Sequence, residues 1–155
     1  MHDTETVGKG RIPGGESILW RRLPLAALLA AVVAAVANAL IYFAASALGF
    51  IPQSALIPSA GGESPLTVGM VAIVSVIGAI GTAIVFAVIG LFTRRPVMLF
   101  RFVAVVVLVL SFATPLTIPG APLSMILSME VMHVVAWAVI VGLLTTQTQR
   151  EGEAQ

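Results

Sequence analysis

The chain contains no cysteine, which excludes disulfides, thiolate chemistry and cysteine-ligated zinc or iron–sulfur centres. Charge is nearly as scarce: 10% of residues are Asp, Glu, Lys or Arg, where a soluble domain carries roughly 25%. A net charge of +1 offers no basic surface to a nucleic acid, and no nucleic-acid partner is expected. Nucleotide motifs, a recognisable nucleophile constellation and a metal-ligand cluster are missing too, so neither cofactor nor metal is expected. What fills the chain instead is aliphatic, with 59% hydrophobic residues and a mean hydropathy of +1.07. A soluble fold of this size has nowhere to put so many apolar side chains.

The apolar residues gather into four runs, about 23–48, 66–92, 97–114 and 123–145. A membrane helix needs about 20 such residues, and each run qualifies. Pro24, Pro65, Pro96 and Pro122 stand at the starts of the runs, where a missing N–H costs nothing. The expected fold is all-α: an integral membrane four-helix bundle occupying 18–147. Residues 1–17 are polar and glycine-rich and read as a disordered cytoplasmic tail, and 148–155 as a second one.

The basic residues set the orientation. Lys9, Arg11, Arg21 and Arg22 precede the first run, Arg94, Arg95 and Arg101 flank the second connection, and Arg150 follows the last run. The connections 49–65 and 115–122 hold no Lys or Arg. The positive-inside rule therefore puts both termini in the cytoplasm of a multi-pass protein of the cell inner (plasma) membrane. Residues 21–39 resemble a secretory signal, but the apolar run continues to Leu48, and an uncleaved anchor is expected. The 49–65 connection carries Phe50, Ile51, Leu56 and Ile57, which predicts packing at the membrane surface or over the bundle end, with a functional lid as the alternative.

Glu130 is the one carboxylate inside any run, and an ionisable group at membrane depth costs about 2.5–3.5 kcal/mol on insertion scales. His133 follows one helical turn later. Counted inward from the outer ends, Asn38, Tyr42, Ser75, Ser111 and Glu130 all fall in the outer half of the membrane. With His133 they form the candidate binding pocket, open outward and able to hold a small molecule or lipid or to move a proton. No catalytic residue is assigned. The competing reading is that the same side chains are interhelical glue. A Glu-x-x-His pair is also half of a bundle di-metal site, but a metal would need a symmetric dimer to supply the second half. In the second run Gly69, Gly78, Gly81, Ala83, Ala87 and Gly90 predict close helix packing.

Three functions follow in order of preference: a small-molecule or lipid binder serving transport, a structural or accessory membrane subunit, and last a lipid-modifying enzyme. Membrane lipid is the expected partner; Arg94, Arg95 and Arg101 are read first as fixing topology, with binding of anionic headgroups as the alternative. A homodimer or a partner membrane protein is the other expected contact.

Asn38 in an Ala-rich first run, the Arg94–Arg101 turn, Ser111 with Pro115, and Met132-His133 together resemble a family of short bacterial four-span membrane proteins, the domain of unknown function 6069. The resemblance covers about 20–147 and implies the four-span fold without an activity. Small multidrug exporters share only size and span number, since their essential Glu lies in the first helix, where this chain has Asn38.

Overall fold

The computed structural model describes residues 18–148 except 53, 55 and 60; the two expected tails lie outside the described residues but for Thr148, which ends the last helix and is buried. After a single 3-10 turn, Trp20–Arg22, the elements are α1 (Leu23–Ala47), β1 (Leu56–Ser59), β2 (Gly62–Pro65), α2 (Val68–Phe92), α3 (Pro96–Ser111), α4 (Ala113–Leu116) and α5 (Leu123–Thr148). Four helical stretches, with α3 and α4 counted as one, are long and apolar enough to cross a membrane. The protein is an all-α membrane bundle, with one short hairpin added.

Its inside is made of small residues. On α1 the buried stripe is Ala26, Ala30, Ala31, Ala34, Asn38, Tyr42 and Ala45, at spacings of three, four and one. Leu25, Leu28, Val32, Val36 and Leu40 point outward. This inverts the pattern of a soluble helix because lipid tails are as apolar as leucine: large side chains gain nothing by facing inward, and small ones let backbones approach. On α2 the matching stripe is Val71, Ser75, Ala79, Ala83 and Phe86. Gly78 and Gly81 of α2 do not follow the sequence expectation. A Cβ built on Gly78 or Gly81 meets nothing within 4 Å, so both sit on the outward side. Close approach falls to Ala83 and Gly90, as expected, and to Ser75 and Ala79 in place of the other glycines; a Cβ added at Gly90 would come within 2.5 Å of Ile18.

The third run is helical in two pieces, α3 and α4. Pro115 has no N–H to give the carbonyl of Ser111, so the ladder is interrupted near Phe112. α3 is tied to α2 near its start, where Phe86 and Phe100 pack with ring centroids 4.5 Å apart, while Val105, Val106, Val107, Val109 and Leu110 are exposed.

At its far end α1 closes with Gly49 at φ +74°. The Gly49 N–H reaches Ser46 O and the Phe50 N–H reaches Ala45 O, the bond pair of a Schellman stop, which favours glycine at that position. The following segment returns as the antiparallel hairpin β1–β2, with Leu56 opposite Pro65 and Ser59 opposite Gly62. Ile51, Ile57 and Leu66 are buried beneath it. The apolar connection thus folds over the bundle end. The hairpin itself was not expected from the sequence. At the opposite end the Leu19 N–H donates to Thr148 O at 2.8 Å, which brings the two ends of the described chain together on the arginine-bearing side.

Candidate functional site

Buried apolar residues fall into two clusters. One, toward the arginine end, centres on Ala30, Ala34, Ala79, Phe86, Phe100 and Leu144. The other, under the hairpin, centres on Tyr42, Ile57, Leu66, Val71, Met125 and Met132. Between them along the helices stand Asn38 on α1, Ser75 on α2 and His133 on α5, with Glu130 one turn further toward the hairpin among members of the second cluster. These four side chains make up the polar layer.

The register of α1 and α5 supports this placement. The helices are pinned at one end by the Leu19–Thr148 bond and near the other by the Ser124 hydroxyl donating to Phe50 O at 3.2 Å. At a rise of ~1.5 Å per residue, counting from the two pins sets Asn38 level with the stretch of α5 from about residue 129 to about residue 136. Ser75 is fixed to the same level directly, since Asn38 Nδ2 donates to Ser75 Oγ at 3.0 Å with both groups buried. Ser75 Oγ in turn donates to Val71 O at 2.8 Å. The hydroxyl's only proton is spent there, so the serine can only accept from Asn38, and the amide must present its NH2. Asn38 Oδ1 is left buried with no partner.

On α5, His133 Nδ1 lies 2.8 Å from Met129 O. A carbonyl only accepts, so Nδ1 carries the hydrogen and the neutral ring offers Nε2 as an acceptor. Glu130 is half-buried, and its Oε2 is shielded and without a partner. Among the described residues no hydrogen bond joins Glu130 to His133. Tyr42, one turn outward from Asn38, donates its hydroxyl to Leu66 O at 3.0 Å and so ties α1 to the end of the hairpin. Ser111 turns back to Leu108 O of its own helix at 2.7 Å. The geometry thus joins Asn38 to Ser75, sets Glu130 and His133 near their level, and gives Tyr42 and Ser111 backbone partners elsewhere.

Two further polar atoms are buried without partners: Ser46 Oγ, two turns outward from Asn38, and Trp137 Nε1, two turns deeper than Glu130. The signal for both is spacing, because Ser46 continues the Asn38–Tyr42 stripe and Trp137 stands seven residues from Glu130. Thr145, deep in the arginine-end half of α5, accepts from Arg101 at 3.4 Å. Two surface depressions lie away from the layer. One, beside the hairpin, is lined by Ser54, Leu56, Glu63, Pro119, Gly120 and Ala121. A second, at the arginine end, is lined by Arg22, Leu25, Ala26, Leu29 and Gln147. Among the described residues there is no cluster of three or more His, Asp or Glu side chains suited to a metal.

The chain belongs to a family of unknown function (DUF6069), whose model matches residues 19–150. No curated protein and no solved structure matches it.

Proposed function

We propose that this membrane protein binds a small polar ligand at the layer formed by Asn38, Ser75, Glu130 and His133, and that the binding serves transport. One observation carries this reading: Asn38 Oδ1 and Glu130 Oε2 are buried and unpartnered. A layer built only to join helices would satisfy its own members, because an unmade bond at a buried polar group costs about 1–3 kcal/mol. Orphaned acceptors are the expected state of a binding layer without its ligand. Access to the layer would come from the hairpin end, toward which Tyr42 and Ser46 extend the Asn38 stripe. The arginine distribution supports a cytoplasmic location for both termini, which makes the hairpin end external.

The test is native mass spectrometry of protein gently extracted from its own membranes, beside Glu130→Gln. A small molecule retained by the parent and lost from the variant is the expected result. Identical bare spectra would refute tight binding at Glu130. The second reading, a structural or accessory subunit, is favoured by the buried Asn38–Ser75 bond, which ties α1 to α2.

A further inference from the structure

At the arginine end, the start of α1 carries a stripe that the packing of the described helices leaves open. Arg22, Leu25, Ala26 and Leu29 follow one another at helical spacing and so share one face. Ala26 is buried, whereas Leu25 and Leu29 are 68% and 42% exposed. The end of α5 is held beside this stripe, because the Leu19 N–H donates to Thr148 O at 2.8 Å. Between the two helices lies a crevice of about 320 Å³, lined by Arg22, Leu25, Ala26, Leu29 and Gln147. The short side chain of Ala26 leaves the room. A guanidinium and an amide form its polar rim, and two leucines lead from that rim along the apolar face.

The rim is suited to an anion. Among the described residues the acidic side chains are Glu63, on the hairpin at the opposite end, and Glu130, about 25 Å along α5 from Gln147. Neither offsets Arg22, whose guanidinium makes no hydrogen bond or ion pair with a described residue. A guanidinium meets a phosphate through two parallel N–H bonds, and the Gln147 amide adds a neutral donor. The crevice also lies where headgroups lie. Trp20 stands at the same end and is 45% exposed, as befits a tryptophan at the boundary of membrane and water. A free phosphate would use the rim alone, whereas a phospholipid uses the leucines as well.

We infer that this crevice holds one anionic phospholipid, its phosphate on Arg22 and Gln147 and an acyl chain along Leu25 and Leu29. A basic crevice between membrane helices suits such a headgroup because charge and apolar contact are met at once. The volume corresponds to about ten waters at ~30 Å³ each, and a phosphate bearing a glycerol has about that many heavy atoms. The acyl chains stay outside, against the leucines. Arg21, Arg94 and Arg95 belong to the same end but line no part of the crevice, which distinguishes a site from a generally basic surface. No residue of the polar layer lines it either, so the lipid site stands independently of the ligand proposed there.

The experiment titrates the full chain, stripped of lipid in detergent, with phosphatidylglycerol or phosphatidylcholine of matched acyl chains and counts bound lipids by native mass spectrometry. Both lipids carry a phosphate, but only phosphatidylglycerol keeps a net charge, and its first molecule should bind at least fivefold more tightly. Arg22→Gln should weaken that first molecule at least fivefold, and Gln147→Leu at least twofold. Arg21→Gln removes the same charge one residue away and should leave it unchanged. Equal losses in Arg21→Gln and Arg22→Gln would overturn the site in favour of a diffuse basic surface. Equal binding of the two lipids would overturn the anionic class. Inorganic phosphate that binds as tightly as phosphatidylglycerol, and in an Arg22-dependent way, would assign the crevice to a soluble anion instead. Should Arg22→Gln fail to fold, Gln147→Leu set against Arg21→Gln carries the same decision.

Discussion

Replacing Ser75 by alanine strands the amide of Asn38, because Ser75 Oγ is its hydrogen-bond acceptor. Bonds between membrane helices are worth from a fraction of a kcal/mol to about 2, and Ser75→Ala should lie within that range in detergent unfolding. The double variant Asn38→Leu/Ser75→Ala should lose less than the sum of the single losses, since removing both partners leaves no orphan. Additive losses would show that the two side chains are not coupled. Tyr42→Phe is a cleaner single deletion: it removes one bond, to Leu66 O, worth about 0.5–1.5 kcal/mol. Its effect should be local, with faster amide exchange in 56–65 and little change in the helices. Unchanged hairpin protection would count against Tyr42 as the tether.

α2 has two unlike sides, and its glycines report on them. At Gly78 a new methyl group enters open space, so Gly78→Ala should be neutral or stabilising by up to about 1 kcal/mol through helix propensity. A loss larger than that would reveal a second surface packed there, such as another copy of the chain. At Gly90 the same change meets Ile18 at 2.5 Å and Trp20 at 3.1 Å. Ile18 is touched at the end of its side chain and can move, so Gly90→Ala should displace the 18–20 segment rather than unfold the bundle. The emission of Trp20 should shift in Gly90→Ala and stay put in Gly78→Ala. A Trp137→Phe background isolates that signal, because the chain has two tryptophans.

The molecule as a whole is asymmetric along its long axis. The described arginines and both described chain ends occupy one side, while the hairpin and Glu63 occupy the other. Because the chain lacks cysteine, single cysteines can be labelled without background. With the arginine end in the cytoplasm, Gly61→Cys should react with an impermeant maleimide in intact cells, and Gln147→Cys only after permeabilisation. The reverse pattern would invert the orientation and place the binding layer in the other half of the membrane.

Four apolar helices were legible from length and hydropathy alone, because a membrane imposes both on any chain that crosses it. So was the family, through Asn38, the Arg94–Arg101 turn, Ser111 with Pro115, and Met132-His133, and its model covers the bundle. The common level of Asn38 and Ser75 followed from counting residues, and the bond between them shows it. Which way each side faces did not. Nearly every residue of these helices is apolar, so no amphipathic pattern marks an inward face, and Gly78 and Gly81 were assigned to a seam where Ser75 and Ala79 stand beside the expected Ala83. Nor could the sequence distribute hydrogen bonds. Only the tertiary structure gave Asn38 to Ser75 and His133 to Met129 O, and left Oδ1 and Oε2 without partners. The bilayer dictates that helices form and how long they are, but between helices of equal hydropathy the faces that meet are decided by close packing and by where polar atoms find partners.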